Sequence, residues 1–341
     1  MKNNYTLLAI LAILLAACTN TTPAPTSPTP AGSAVPSVVT PVPTQTAASS
    51  TPTPAPGKVL FVAPDPAAVD TDAAIQGVVS KLAAANQLTL ESLTSLQPAN
   101  LLPEVRIVVL LSAPDNLSDL LAASPRVQFV VISQWPSLET HPNLSVITIQ
   151  PEQAAYLAGF ITTIISGDWR SAGLLPDTPA AIQDAFLNGG RYYCGRCIPI
   201  HGPIVAFPLA AALPAGSSFA SWQNAVTQLQ TKILQTVYVD PSISSPDLLK
   251  LLADQKLILV GGQSPSQDLR SQWSATVSSD VLTPLIALWP SLVAGTGGKS
   301  MAAALLVSDI NPDYLTPGKQ RLVQDVITGL QTGTLGPLSI Q

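Results

Sequence analysis

From Lys58 to the end of the chain, short apolar runs alternate with longer amphipathic stretches. The first run is Val59-Leu60-Phe61-Val62-Ala63, and residues 70–85 after it carry apolar side chains at helical spacing. Runs rich in Val, Ile and Leu predict strands covered on both faces, as in parallel sheets. Repeated strand–helix alternation predicts right-handed crossovers and a doubly wound sheet.

The alternation divides into two similar halves, separated by a long predicted helix from residue 151 to about 165. The first half has predicted strands at 59–63, 88–93, 107–111 and 127–132. The second has predicted strands at 172–175, 204–209, 236–239, 257–260 and 302–307. This order predicts an α/β protein with two doubly wound parallel-sheet lobes joined by a hinge. It resembles the type I periplasmic binding protein fold.

The amino terminus predicts export and a lipid anchor. An apolar run from Tyr5 to Ala17 is shorter than the roughly 20 residues of a membrane span and is typical of a signal peptide. It ends in Leu15-Ala16-Ala17-Cys18, which resembles the bacterial lipoprotein box. The resemblance implies that residues 1–17 are removed and that Cys18 is lipidated. Two acyl chains are what stable anchoring requires.

Residues 18–57 consist mostly of Pro, Thr, Ser and Ala, without a charged residue between Lys2 and Lys58. Such a segment buries too little apolar surface to offset its ordering entropy. We therefore expect a disordered, largely polyproline II linker between the membrane and the folded part.

Composition limits the classes of function. The chain is 47% hydrophobic and 10% charged, with a net charge of −5 and no basic cluster, which argues against nucleic acid as a partner. The roughly 280 residues after the linker suit two lobes. We expect lobe 1 to comprise 58–166 plus 274–295, and lobe 2 to comprise 167–273 plus 296–341.

Three segments resemble the basic membrane protein family of substrate-binding lipoproteins, which includes purine nucleoside receptors. Residues 125–132 read PRVQFVVI, residues 152–159 read EQAAYLAG, and residues 186–190 read FLNGG. They match the family's strand start, its E-x-A-A-Y-L-A-G helix start and its F-x-x-G helix end. The resemblance spans roughly 58–335. It implies a solute receptor that works with the permease and ATPase subunits of an ABC transporter.

The chain departs from this family where nucleoside-binding members hold their ligand. The loop 64–72 lacks the Phe-Asn pair, and uncharged Ser133, Gly262 and Ser279 replace charged residues. These differences predict weak binding of purine nucleosides. We expect a less polar ligand, or one held by backbone groups and by amides such as Gln134 and Gln263. The alternative is that Asp65, Asp177 and Asp280 supply the polar contacts.

Cys194-Gly195-Arg196-Cys197 is the one cysteine pair in the chain. In an exported protein it is expected to form a structural disulfide. A redox-active pair and a metal site with His201 are the alternatives. A metal is not expected, because structural zinc requires four ligands and His141, the second histidine, lies in the other half.

No motif for catalysis or for a cofactor is present. Residues 295–300, GTGGKS, resemble the end of a phosphate-binding loop, but Val293 replaces the required Gly and a helix precedes the segment. HExxH and G-x-S-x-G are both missing, and two histidines leave little for a catalytic triad. We expect a protein that is not an enzyme and has no cofactor.

Ligands of open α/β sheets bind beyond the carboxyl ends of the strands. The predicted ligand-binding residues are Asp65, Ser112, Ser133, Gln134, Trp135, Asp177, Phe207, Gly262, Gln263 and Asp280. The predicted function is an extracytoplasmic, membrane-anchored receptor that delivers a small molecule to an ABC-type importer. The alternative is a sensor or a structural lipoprotein with a degenerate cleft.

Overall fold

The computed structural model describes residues 57–63, 70–133, 141–214 and 216–338. The expected signal peptide, Cys18 and nearly all of the expected linker lie outside these residues. The strands are β1 (Lys58–Val62), β2 (Thr89–Leu93), β3 (Val105–Leu110), β4 (Gln128–Ser133), β5 (Leu144–Thr148), β6 (Ser171–Pro176), β7 (Leu209–Leu213), β8 (Thr236–Val239), β9 (Ile258–Gly261), β10 (Trp273–Asp280), β11 (Ser300–Ala302) and β12 (Ala304–Ser308). The helices are α1 (Asp70–Ala85), α2 (Leu117–Ala123), α3 (Pro151–Ile165), α4 (Ala180–Cys194), α5 (Phe219–Gln230), α6 (Pro246–Asp254), α7 (Leu282–Val293) and α8 (Pro317–Gln331).

The strands form two six-stranded sheets. The first has the order β11-β5-β4-β3-β1-β2 and is parallel throughout. The second has the order β12-β10-β9-β8-β6-β7 and is parallel except for β12, which pairs antiparallel with β10. All six residues of β4 are buried, and so are all six of β6. Both sheets are therefore covered on two faces, as their apolar runs predicted.

The lobes are defined by these sheets and the helices packed on them. Lobe 1 comprises residues 57–150 and 281–303, with α1 and α7 on one face of its sheet and α2 on the other. Lobe 2 comprises residues 151–280 and 304–338, with α3, α4 and α8 on one face and α5 and α6 on the other. The chain passes between the lobes three times, after β5, after β10 and after β11.

These lobe boundaries differ from the expected ones at all three crossings. Helix α3 packs on lobe 2, β10 belongs to the second sheet and β11 to the first. All residues of α3 from Ala155 to Ile165 are buried, so its apolar pattern suits either sheet. The three-residue β11 is too short for its pattern to identify a partner. Whether each of these elements belongs to lobe 1 or to lobe 2 is decided by the sheet that it pairs with or packs on.

In each sheet the strand order reverses at one strand. In the first sheet β1 lies between β2 and β3, and in the second sheet β6 lies between β7 and β8. Crevices form at such reversal points, beyond the carboxyl ends of the strands. In the described part of the chain, no helix has both the length and the apolar character of a membrane span.

Candidate functional site

A cleft of about 1050 Å³ separates the two lobes. Its lobe 1 side includes Phe61, Ala63, Asp72, Gln76, Ser92 and Thr94. Its lobe 2 side includes Ser217, Phe219, Trp222, Ser242, Asp247 and Gln263. These residues lie at or just beyond the carboxyl ends of strands and in the first turns of the helices that follow. The cleft is therefore the candidate ligand site, with a volume near the upper end of the roughly 300–1,000 Å³ usual for small-molecule sites.

The lobe 2 wall is built on Asp240, which follows β8. One oxygen of its carboxylate accepts hydrogen bonds from the Ser242 backbone N–H at 2.9 Å and from the Ser242 hydroxyl at 2.6 Å. Burial raises the pKa of Asp240 above its ordinary value, although both hydrogen bonds oppose that change. Further along, Ser245 caps α6 by accepting from the Leu248 N–H at 3.3 Å. The serine-rich sequence of this loop thus fixes its own backbone.

Gly262 and Gln263 attach the loop after β9 to this wall. A Cβ on Gly262 would overlap the ring of Pro241, so only glycine permits the approach. The Gln263 side chain donates from Nε2 to the Pro241 carbonyl at 3.1 Å. Gly262 therefore permits the close packing against Pro241. Its neighbour Gln263 lines the cleft and bridges the loops after β8 and β9.

A polar network that runs from the core to the surface supports the loop after β9 from behind. Trp273 donates from Nε1 to the Thr276 hydroxyl at 3.0 Å, and that hydroxyl donates to Asp309 Oδ2 at 2.8 Å. Ser264, in the β9 loop, donates to the same Asp309 oxygen at 2.7 Å. Asp309 has a positive φ of 48°, a conformation that aspartate tolerates better than most residues. This network ties the loop to β10 and to the segment after β12.

The predicted ligand-binding residues occupy different places. Asp65, Gln134 and Trp135 lie outside the described residues. Among the others, Gln263 lines the cleft, and Gly262 packs directly behind it. Ser133 is buried at the end of β4, and Ser112 is exposed after β3. Asp177, after β6, is half-buried and accepts from the Thr178 hydroxyl at 3.3 Å.

Two predicted residues have structural contacts instead. Phe207 precedes β7 rather than following a strand, so its ring lies in the lobe 2 core, 6.0 Å from the guanidinium carbon of Arg170. Asp280 caps α7: Oδ1 accepts from the Leu282 and Thr283 N–H groups at 3.1 and 3.0 Å, and Oδ2 accepts from the Thr283 hydroxyl. Partial burial favours a higher pKa, but these hydrogen bonds prevail and hold the pKa of Asp280 below its ordinary value.

Sequence reasoning missed most of the cleft's polar side chains, including Asp72, Gln76, Ser242 and Asp247. Each belongs to a helix or helical turn that follows a strand in the chain, whereas the strand-end rule was applied to loop residues alone. The first turn of such a helix lies at the same edge of the sheet as the loop before it. That position could have identified Asp72 and Asp247.

Cys194 and Cys197 form a disulfide at the carboxyl end of α4, with a Cα–Cα distance of 5.1 Å. This confirms the expected pairing. Gly195, between them, has a φ of +67°, which lets the chain turn out of the helix. An oxidised pair offers no thiolate to a metal. Among the described residues, no group of three or more His, Cys, Asp or Glu side chains could hold a metal ion.

Solved structures with a similar fold cover most of this chain. An ABC transporter solute-binding protein from Conexibacter woesei is 18% identical, covers 82% of this chain and 98% of its own, and has a TM-score of 0.59. One from Aeropyrum pernix is 14% identical, with coverages of 82% and 93% and a TM-score of 0.60. A transcriptional activator from Bacillus halodurans is 14% identical, with coverages of 81% and 98% and a TM-score of 0.60.

These similarities confirm the predicted fold class, two α/β lobes of the type I periplasmic binding protein kind. Solute-binding proteins and a transcriptional activator share this fold. No protein family model matches the chain, and no curated protein matches it significantly. Membership of the basic membrane protein family stays a prediction.

Proposed function

We propose that this chain is an extracytoplasmic, lipid-anchored solute-binding protein that delivers a small molecule to an ABC-type importer. The observation that carries the proposal is the cleft of about 1050 Å³, lined by side chains from both lobes. A ligand held there contacts both lobes at once, so its binding favours the state in which they are closed around it. Such closure is how a two-lobed receptor can signal occupancy to a partner.

The chemistry of the cleft supports binding rather than catalysis. Aromatic residues such as Phe219 and aliphatic residues such as Leu93 and Ile243 are combined with amides and hydroxyls, the usual composition of small-molecule sites. Among the described lining residues there is no His, Cys or Lys to act as a base or nucleophile at neutral pH. The cleft therefore has groups that orient a ligand, and the only ionisable side chains among its described lining residues are the carboxylates of Asp72 and Asp247.

The second candidate function is a sensor or a structural lipoprotein without transport. The similar fold of a transcriptional activator supports a sensor, because the same two lobes serve regulation there. The predicted signal peptide and Cys18 favour a site outside the cytoplasm. The two similar solute-binding proteins are described as parts of ABC transporter systems, which supports transport.

Native mass spectrometry of the freshly purified full chain tests whether the cleft binds a solute. We expect a co-purified small molecule that is lost in Gln263→Trp, where the larger ring occupies the part of the cleft next to the loop after β9. Gln324→Trp, on the exposed surface of α8, is the matched control and should retain the molecule. Equal occupancy in the two variants would show that the molecule binds elsewhere.

Anchoring and delivery are tested in cells. Cys18→Ser should release the protein from the membrane fraction or leave it unprocessed, and normal processing with full membrane association would contradict the lipoprotein proposal. Once the solute is known, a strain lacking the chain should take it up more slowly, and the wild-type chain should restore uptake. Unchanged uptake with intact binding would favour the sensor. No bound solute in the full chain, with membrane anchoring intact, would favour the structural alternative.

A further inference from the structure

The charged residues of this chain separate along the strand axis. Eleven strands, β1 to β11, run parallel within their sheets. Among the described residues, the segments that follow these strands up to the next strand, helix or 3-10 turn (Pro98–Asn100, Pro241–Ile243 and Gln267–Leu269) contain no Lys or Arg. They carry three acidic residues, Asp115, Asp177 and Asp240.

The basic residues concentrate at the opposite ends of the strands. Eight of them lie between four residues before a parallel strand and its second residue: Lys58, Arg106, Arg126, Arg170, Lys232, Lys256, Arg270 and Lys299. The cleft lies at the carboxyl ends, because the residues that line it end or follow strands. The same positions also carry three acidic residues, Glu104, Asp168 and Asp254, so the amino ends keep an excess of five basic residues. The net positive charge therefore lies at the ends of the strands that face away from the cleft, and the described segments at the cleft end are acidic.

The described cleft walls repeat this bias. Their only ionisable side chains are the carboxylates of Asp72, in the first turn of α1, and Asp247, in the first turn of α6. The described lining residues include no Lys, Arg or His. Low-dielectric walls that carry one sign of charge attract the opposite charge and repel their own.

Helix amino ends normally attract anions, but here several of their donors are already used. Ser245 accepts from the Leu248 N–H in α6, and Ser218 accepts from the Ser221 N–H in α5, both at 3.3 Å. Asp240 uses the Ser242 N–H in the same way. An anion in the cleft would have to displace these caps and approach two carboxylates. The helix ends that border lobe 2 of the cleft are therefore poor anion sites.

An exposed aromatic face adds an attraction for positive charge. Phe219 is 43% exposed at the cleft, whereas Trp222, one helical turn further along α5, borders the cleft but is buried in the core of lobe 2. A cation above an aromatic face such as that of Phe219 is attracted by the quadrupole of the ring. Carboxylates and an exposed aromatic ring together form a site that suits an organic ammonium group.

We infer that the ligand of this cleft is a small organic cation, selected over neutral isosteres and over anions by Asp72, Asp247 and the exposed ring of Phe219. The inference rests on the proposed solute-binding function and names the class of its ligand.

The test is a thermal-shift and calorimetric screen of the purified full chain against small solutes grouped by charge. The cation group includes choline, putrescine and spermidine. Two neutral isosteres, 3,3-dimethyl-1-butanol for choline and 1,4-butanediol for putrescine, provide the matched comparison. D-Glucose and adenosine represent other neutral solutes, and L-glutamate and glucose 6-phosphate represent anions.

We expect at least one cation to stabilise the protein and to bind about tenfold or more tightly than its neutral isostere, with binding that weakens as salt is added. If no cation binds, the inference is overturned. Preferred binding of a neutral solute or an anion also overturns it, while the proposed binding function stands. If no group binds and no molecule co-purifies, the proposed function fails as well.

Variants then locate the cation. Asp247 is exposed at the surface of the cleft, so Asp247→Asn should fold normally and weaken cation binding about tenfold, the loss expected for one charge-assisted interaction. Asp325→Asn, on the exposed face of α8, removes the same charge elsewhere and should leave binding unchanged. Gln263→Lys should abolish cation binding by placing an ammonium group in the cleft. Equal effects of Asp247→Asn and Asp325→Asn would show that only net charge matters, and would overturn the assignment to the cleft.

Discussion

Gly159 of α3 and Gly189 of α4 face each other's helix so closely that neither position has room for a side chain. A Cβ on Gly159 would overlap the carbonyl of Phe186, and one on Gly189 would overlap the carbonyl of Tyr156. The two helix backbones are thus in direct contact, and they bury Phe186 beneath them against Tyr238. This pair explains why α3 belongs to lobe 2.

The first prediction is that Gly159→Ala destabilises the protein by about 1–3 kcal/mol, the usual cost of overpacking a tight core. The methyl group meets a backbone carbonyl, which cannot move without shifting α4. Gly77→Ala is the matched control, because Gly77 is an exposed residue of α1 and its added Cβ would have no neighbour within 4 Å. The control should be stabilised by up to about 1 kcal/mol, since alanine favours a helix over glycine. Urea unfolding of both variants decides this, and equal effects would contradict the close packing.

The second prediction concerns Asp280 as a helix cap. Asp280→Ala should lower the free energy of unfolding by about 1 kcal/mol at pH 7, because the Leu282 and Thr283 N–H groups lose their acceptor. The pKa of Asp280 is lowered in the folded state. Its ionisation therefore stabilises the fold above the unfolded pKa of about 3.9, and this contribution is lost as the pH falls through the folded pKa.

The difference between wild type and Asp280→Ala should accordingly shrink below about pH 4. Asp280→Asn keeps an acceptor oxygen and should lose less stability at pH 7. Thermal unfolding measured from pH 3 to pH 7 tests both statements. A difference that stays constant over this range would argue that the carboxylate does not act through its charge.

The third prediction concerns Arg170, which is buried just before β6. Its guanidinium donates to Asp168 Oδ2 at 3.1 Å, to the Lys232 carbonyl at 2.9 Å, and to the carbonyls of His201 and Gly202. Arg170→Met should cost about 3 kcal/mol or more, because Asp168 loses its partner and three carbonyls lose their donor. Arg170→Lys should recover only part of this, since an ammonium group cannot reproduce the planar fork.

Lys250→Met supplies the comparison for Arg170. Lys250 pairs with Asp254 at 3.0 Å on the surface of α6, where the two side chains are 71% and 64% exposed. Removing that pair should change stability by less than about 0.5 kcal/mol. Similar losses of stability in Lys250→Met and Arg170→Met would show that the buried guanidinium of Arg170 does not hold the segments around Lys232 and His201 in place.

The fold followed from sequence because its signals are local. Apolar runs such as β3 and β4 are long enough to identify buried strands, and the helices between them have clear periodicity. The lobe boundaries did not follow, because no local pattern tells α3 which sheet it covers. The contact between Gly159 and Gly189 decides that, and it joins residues 30 positions apart.

The site was only partly predictable for a related reason. The rule about strand ends identified the correct edge of each sheet, and Gln263 lies in the cleft as predicted. The rule cannot say whether a polar group faces the cleft or serves the fold. Asp280 is used as a helix cap, and Phe207 fell on the wrong side of β7 because the predicted strand began five residues early. Such roles depend on three-dimensional neighbours that sequence spacing does not encode.

The last prediction is that adenosine, guanosine and inosine bind weakly or not at all. At positions where nucleoside receptors of the resembling family hold their ligand with charged groups, this chain has Ser133, Gly262 and Ser279. Gly262 is occupied by its contact with Pro241, and Ser133 is buried at the end of β4. None of the three can supply a charge-assisted hydrogen bond.

Each such bond contributes roughly 1.5–3 kcal/mol, so the loss of three weakens affinity by several orders of magnitude. The alternative, that aspartates replace them, is weakened by the structure for Asp280, whose carboxylate already accepts three hydrogen bonds from α7. Calorimetric titration of the full chain with the three nucleosides tests the prediction. The Asp280→Ala variant should behave like wild type in this titration. Sub-micromolar binding of any nucleoside would show that this cleft recognises purines through groups other than those of the resembling family.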